Sequence, residues 1–115
     1  MNRRTVLKEN FMFSKVFKNG RYASDNYLTV YVLKNYNRNA APKLGISVSP
    51  KNGCAVKRNR VKRIVRESFS RLYGRIPAGW LIVAVGRRAC FAENVKMQTV
   101  LKSMESAMGR LNLLK

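Results

Sequence analysis

The chain has 115 residues, of which 46% are hydrophobic, and this is enough apolar material for the core of one domain. Lys and Arg total 24 against 5 Asp and Glu, so the formal net charge is +19. A charge this large implies a polyanionic partner, either nucleic acid or an anionic membrane. The sequence contains no histidine, and its few acids are scattered, which argues against a nuclease that holds metal ions in its own carboxylate cluster.

The cysteines and the apolar segments indicate the cellular compartment of the protein. Cys54 and Cys90 are the only cysteines, and neither a CxxC pair nor a histidine accompanies them as a zinc site requires. We therefore expect two free thiols in a reducing cytosol. The N-terminus lacks the apolar core of a signal peptide, and the longest apolar run, Trp80 to Val85, is too short to cross a bilayer. These features predict a single cytoplasmic domain over residues 1–115.

The first half of the chain predicts a helix and two strands. The segment KENFMFSKVFKNG predicts a helix that stops at Asn19-Gly20. The segment NYLTVYVLK (26–34) alternates and is rich in β-branched and aromatic residues, which predicts a strand. After an Asn-rich loop, KLGISVS (43–49) predicts a second strand, hairpin-paired to the first.

The second half predicts a basic helix, a buried strand and a last helix. The segment PKNGC breaks the chain before a helix from about Val56 to Tyr73, which Gly74 and Pro77 close. The run WLIVAVG (80–86) suits a central strand that is buried on both faces, and a long helical pattern covers about 92–114. The order α-β-β-α-β-α predicts an α+β sandwich with helices packed on a small, mostly antiparallel sheet.

Helical spacing divides the basic helix into two faces. Arg58, Lys62 and Arg66 form a stripe at four-residue spacing, and Asn59 and Arg63 extend it away from the core. Like charges at this spacing repel by a few tenths of a kcal/mol for each pair, and bound phosphates would relieve the repulsion. The alternative is an ordinary solvated surface. The side expected to face the sheet carries Val61, Ile64, Val65, Ser68, Phe69 and Leu72.

Aromatic residues form a second candidate surface. Phe13 and Phe17 lie on one helical face, while Tyr27, Thr29 and Tyr31 share one face of the first predicted strand. Because RNA-binding proteins stack unpaired bases on aromatic side chains, these residues suit a groove for a single strand. The alternative is ordinary core packing.

The segment AVKRNRVKRIVRESF (55–69) closely resembles the signature of the bacterial ribonuclease P protein subunit family. The upstream LGISVSPKNG and FSKVFKNG resemble the strand, turn and first helix of that family, so the resemblance covers nearly the whole chain. It implies a left-handed β-α-β crossover around the basic helix, where general rules favour a right-handed one. The sequence departs from the family at Pro50, a position that is often basic, and in its short basic stretch before Leu7.

The resemblance also implies a function. The protein would bind a large catalytic RNA to form ribonuclease P, an endonuclease that removes the 5′ leader of precursor tRNA. The RNA, with bound Mg²⁺, would carry the chemistry, and the protein would hold no metal and supply no catalytic residue. The protein would be monomeric outside this holoenzyme and would have no membrane partner. The residues that match the family contacts to the catalytic RNA are Arg58, Asn59, Arg60, Lys62, Arg63 and Arg66. Those that match the leader cleft are Phe13, Phe17, Thr29, Tyr31 and Lys51.

Three other classes of protein share parts of this pattern. A structural RNA-binding protein, such as a ribosomal protein, has the same charge and composition, and only the signature from Arg58 to Arg66 favours ribonuclease P over it. An autonomous metal-dependent nuclease is disfavoured by the missing histidines. A membrane-active cationic protein is disfavoured by the β-rich middle of the chain.

Overall fold

Four strands and three α-helices, joined in places by short 3-10 helices, make up the part of the chain that the computed structural model describes, residues 10–92 and 94–114. The basic stretch before Leu7, the first residues of the predicted N-terminal helix (Lys8 and Glu9) and Glu93 lie outside the described residues. In chain order the elements are α1 (Asn10–Asn19), β1 (Arg21–Ser24), β2 (Leu28–Lys34), β3 (Lys43–Val48), α2 (Ala55–Leu72), β4 (Trp80–Gly86) and α3 (Met97–Arg110).

The strands form one sheet in the order β1-β2-β4-β3. The pairs β1–β2 and β2–β4 are antiparallel, whereas β3 and β4 are parallel. The predicted mostly antiparallel α+β sheet is therefore confirmed, and the parallel pair is joined through α2 as a β-α-β unit. The left-handed sense of this crossover stays a prediction of the family resemblance.

The predicted hairpin between β2 and β3 is wrong. Strand β4 lies between them and pairs with both, with Val30 opposite Ala84 and Ile46 beside the same Ala84. The physical reason is the apolar character of β4, which is buried from Leu81 to Ala84. A strand that is apolar on both faces gains most from the centre of a sheet, and this separates its two neighbours.

Strand β1 was not predicted. Gly20 allows it to follow α1 directly, because the Gly20 N–H donates to the Val16 carbonyl at 2.8 Å. A Cβ atom at Gly20 would lie 2.6 Å from the Val16 oxygen and 2.7 Å from the Val32 oxygen, so only glycine fits between α1 and β2. As a result β1 adds Tyr22 to the edge of the sheet, opposite Tyr31.

The sheet separates two layers of apolar packing. On one face α2 and α3 cover Leu28, Val30 and Val32 of β2, and on the other face Val16 of α1 covers Leu81 and Val83 of β4. The predicted buried face of α2 is confirmed, since every residue predicted to face the sheet is buried. The basic helix and the first helix thus lie on opposite faces of the sheet. The buried residues of α2 are Val61, Ile64, Val65, Ser68, Phe69 and Leu72.

The turn before β2 is held to α3 by Asp25. Its carboxylate oxygen accepts hydrogen bonds from the Tyr27 N–H at 2.8 Å, the Leu28 N–H at 3.0 Å and the Ser103 hydroxyl at 2.6 Å. Burial acts to raise the pKa of Asp25, but these hydrogen bonds and nearby Arg110 outweigh it and lower the pKa below its ordinary value. The carboxylate therefore contributes to stability above its unfolded pKa, and the contribution is lost as the pH falls through the lowered folded pKa.

We expect Asp25→Asn to lower the free energy of unfolding by about 1–2 kcal/mol at neutral pH, because hydrogen bonds to a charged acceptor are weakened. Chemical denaturation across the acid range checks this. The difference from wild type should shrink as the pH falls through the lowered pKa of Asp25, because both side chains are neutral below it. Glu105→Gln, at an exposed carboxylate, serves as the control and should change little. A deficit that stays constant with pH would contradict this role for the Asp25 charge.

Candidate nucleic-acid interface

The basic stripe of α2 lies beside its buried row, as predicted. Arg58 and Lys62 are half-buried, whereas Asn59, Arg63 and Arg66 are exposed. The spacing that turns the apolar residues toward the sheet places these side chains on the neighbouring side of the helix, next to the buried row. The result is a row of cationic groups that is backed by rigid, packed helix.

Arg60 differs from the other residues of the signature. Its guanidinium donates to the carbonyl oxygens of Ala92 and Val95, so it attaches α2 to the segment that follows β4. Sequence reasoning missed this second role, because both partners lie more than 30 positions away along the chain. The Arg60 guanidinium is consequently fixed in place beside the exposed residues of the stripe.

Arg58 carries a buried polar atom that the described residues leave without a hydrogen-bond partner, its Nε. A buried donor of this kind costs free energy until it finds an acceptor. Arginine offers a planar fork of donors that matches the oxygens of a phosphate. Because Arg58 is only half-buried, the rest of its guanidinium group, and not the buried Nε, is the part that can meet a phosphate of a bound polyanion.

An aromatic cluster lies on the face of the sheet that α1 covers. The ring centroids of Phe13 and Phe17 are 6.4 Å apart, and Phe17 meets Tyr31 edge to face at 4.9 Å. Tyr22 packs on Tyr31 at 5.4 Å. Phe17 is 40% exposed and Tyr22 is 64% exposed, so their rings are open to solvent and are not ordinary core residues. This cluster offers flat apolar surface on which unpaired bases can stack.

The remaining residues predicted for the leader cleft have different surroundings. Thr29 lies on the same face as Tyr31, and its hydroxyl is hydrogen-bonded to that of Ser24 at 2.9 Å. Lys51 is exposed in the turn Pro50–Asn52 that leads into α2. Tyr27 does not join the aromatic face, because β2 begins only at Leu28 and Tyr27 packs against the core under α2 and α3.

Tyr22 is the main site residue that sequence reasoning missed. Strand β1 has only four residues, too few for an alternating pattern to stand out. The usable signal is the aromatic residue two positions after Gly20, at the point where α1 ends. Together Phe17, Tyr22 and Tyr31 form a continuous set of rings across α1, β1 and β2.

The two thiols have opposite environments. The backbone N–H of Lys57, followed by that of Val56, lowers the pKa of the exposed Cys54 thiol at the start of α2. Burial raises the pKa of the Cys90 thiol to about 11. Both cysteines are free, as predicted.

We expect a thiol reagent at about pH 8 to modify the native chain once and the unfolded chain twice, because only Cys54 is both accessible and readily ionised. Absorbance of the released thiol product measures the count. Cys54→Ser should leave the native chain unreactive. Rapid labelling of native Cys54→Ser at Cys90 would show that the core under the sheet opens easily.

Two features of the described residues bear on the kind of site. Within residues 10–92 and 94–114, no group of three or more His, Cys, Asp or Glu side chains comes together to hold a metal ion. No helix in the same part of the chain combines the length and the apolar character needed to cross a bilayer.

An α+β domain with a cationic helix on one face of its sheet and exposed aromatic rings on the other is typical of an RNA-binding protein. The family model "Ribonuclease P" matches residues 1–112. The ribonuclease P protein component of Brevibacillus brevis is 36% identical over 115 residues, which cover 100% of this chain and 89% of the relative. That of Clostridium kluyveri is 42% identical over 107 residues, 90% of this chain and 93% of the relative.

Solved structures agree with the sequence comparisons. The ribonuclease P protein of Thermotoga maritima superimposes with a TM-score of 0.79 at 35% identity, over 90% of this chain and 94% of that one. The protein from Staphylococcus aureus gives a TM-score of 0.84 at 27% identity, over 96% and 98%. The chain belongs to the ribonuclease P protein family, and it is a protein component of the endoribonuclease that matures the 5′ end of tRNA.

Proposed function

We propose that the two faces of this domain bind two different RNAs. The stripe of α2 binds the catalytic RNA, and the aromatic cluster with its neighbours binds the single-stranded 5′ leader of precursor tRNA. The contacts to the catalytic RNA come from Arg58, Asn59, Arg60, Lys62, Arg63 and Arg66. The leader contacts come from Phe13, Phe17, Tyr22, Thr29, Tyr31 and Lys51.

The observation that carries this proposal is the separation of the two surfaces by the sheet. The stripe is mainly cationic and offers donors for phosphates, which suits a large folded RNA whose backbone is its most accessible part. The cluster offers exposed rings, with Phe17 at 40% and Tyr22 at 64% exposure, and such rings suit a strand whose bases are unpaired. Each surface thus has the chemistry that one of the two RNAs requires.

The proposal places the catalytic groups in the RNA. Support comes from the sequence, which contains no histidine and only 5 acids, and from the lack of a metal-binding cluster among the described residues. Mg²⁺ in the holoenzyme is then held mainly by RNA oxygens, which suit this hard cation. The protein acts in the cytoplasm, where its two free cysteines stay reduced, and it is monomeric until it binds the RNA.

A reconstitution assay tests the proposal. The protein is added to bacterial ribonuclease P RNA at low Mg²⁺ concentration, and cleavage of precursor tRNA is followed on a gel. We expect the protein to increase cleavage, because it neutralises phosphates and adds contacts to the leader. Cleavage that the protein leaves unchanged would contradict the proposal. Cleavage by the protein without any RNA subunit would place the catalytic groups in the protein instead.

A further inference from the structure

The outward face of α2 carries a shallow depression of about 490 Å³. This volume falls within the range of about 300–1,000 Å³ that is typical of small-molecule sites. Its lining residues are spaced by three or four positions along the helix, and they therefore share one face, away from the buried row. The lining consists of Val56, Asn59, Arg60, Arg63 and Arg66.

Val56 is the unusual member of this set. It is 77% exposed, and the cationic residues Lys57 and Arg58 follow it directly in the sequence. Exposed Phe17 and Tyr22 belong to the aromatic cluster on the other face of the sheet, so Val56 needs a separate explanation. Arginine stems add aliphatic surface beside it, and their guanidinium groups extend beyond that surface. The depression thus has an apolar floor and a cationic rim.

An apolar floor with a cationic rim matches the parts of a single nucleotide. A nucleobase has a flat apolar face, and its edge carries both donors and acceptors, which an Asn amide such as that of Asn59 can match. Arg63 and Arg66 can meet the adjoining phosphates, while Arg60 is held by the carbonyls of Ala92 and Val95 and forms a rigid wall. A base within a duplex is stacked on both faces and cannot enter, so the ligand must be unpaired.

We propose that this depression receives one unpaired nucleotide of the catalytic RNA, with its base against Val56 and its phosphates against Arg63 and Arg66. The inference rests on the proposed function, because it takes α2 to be the surface that docks the catalytic RNA. It adds a point of recognition to a surface otherwise made of phosphate contacts, which carry little sequence information.

Binding of bacterial ribonuclease P RNA to three variants tests the apolar contact. Val56→Ser removes the apolar surface without changing the charge, Val56→Ile keeps it, and Ala55→Ser is the control at an exposed position outside the depression. We expect Val56→Ser to weaken binding about fivefold to tenfold, with the slope of affinity against salt unchanged. Val56→Ile and Ala55→Ser should bind like wild type. Wild-type affinity for Val56→Ser would overturn the inference.

A crosslinking experiment identifies the occupant. A photoreactive group is attached to a cysteine introduced by Val56→Cys in a Cys54→Ser background, and the complex with the RNA is irradiated. We expect the crosslink at one unpaired nucleotide. Making that nucleotide abasic should abolish the difference between wild type and Val56→Ser. Crosslinks spread over paired regions, or joining two copies of the protein, would overturn the inference.

Failure of the inference differs from failure of the proposed function. If wild-type protein does not bind the RNA at all, both the proposed function and the nucleotide site are wrong. If wild type binds, and loss of Arg58, Lys62 and Arg66 weakens binding while Val56→Ser does not, only the nucleotide site is wrong.

Discussion

The triple variant Arg58→Ala, Lys62→Ala and Arg66→Ala should bind ribonuclease P RNA far more weakly than wild type, and with a flatter dependence on salt. Each phosphate contact releases condensed counterions, so each lost contact reduces the slope of log affinity against log salt by roughly 0.7–0.9. Loss of all three should reduce the slope by about 2–3 and the affinity at moderate salt by about 10²-fold or more. Filter binding or fluorescence titration at several salt concentrations measures both quantities.

A matched variant distinguishes the effect on binding of where the charges lie from the effect of how many charges are removed. Arg38→Ala, Arg71→Ala and Lys102→Ala together remove the same charge from exposed positions outside the stripe. This control should lose only the small long-range part of the attraction, which salt screens. Circular dichroism and thermal unfolding of both variants test for a folding defect, which is a concern because Arg58 is half-buried. Equal losses in the two triple variants would mean that the stripe of α2 is no special docking surface.

Phe17→Ala should weaken the affinity of the holoenzyme for precursor tRNA that carries a leader by about fivefold or more. Stacking of one base on an aromatic ring contributes about 1–3 kcal/mol, and truncation removes the ring that is packed edge to face on Tyr31. Mature tRNA has no leader, so its affinity should be nearly unchanged. Tyr22→Ala should behave in the same way, because Tyr22 is 64% exposed and packs on Tyr31.

Tyr36→Ala provides the control for this prediction. Tyr36 is 94% exposed in the loop between β2 and β3, so its truncation removes an exposed ring outside the cluster. The control should bind precursor tRNA like wild type. If Phe17→Ala lowered the affinity for precursor and mature tRNA equally, or unfolded the chain, Phe17 would be a structural residue with no leader contact.

The local part of the structure follows from the sequence. The buried row of α2, from Val61 to Leu72, is predictable because the apolar residues repeat at the helical period and therefore share one face of the helix. The burial of β4 likewise follows from its apolar run. Residues of α2 that do not belong to the buried row form the exposed stripe. Most of the proposed RNA contacts were therefore predictable together with the core.

The parts that the sequence does not predict depend on distant contacts. The apolar run of β4 predicts a central strand, but the choice of β2 and β3 as its two neighbours is decided by pairing across the sheet. Arg60 looks like its neighbours in the sequence, and only the fold brings the Ala92 and Val95 carbonyls to its guanidinium. Tyr22 joins the aromatic cluster because Gly20 lets β1 turn back against β2. In the first two cases the decisive partner lies more than 30 positions away along the chain, and in the third it lies in the next strand.

We propose that one face of the domain docks the catalytic RNA while the other face holds the leader. The most direct test measures the affinity of ribonuclease P RNA for precursor tRNA and for mature tRNA, each with and without the protein. We predict that the protein strengthens binding of the precursor much more than binding of mature tRNA, because only the precursor carries a leader. An equal gain for both tRNAs would contradict the claim that this protein holds the leader.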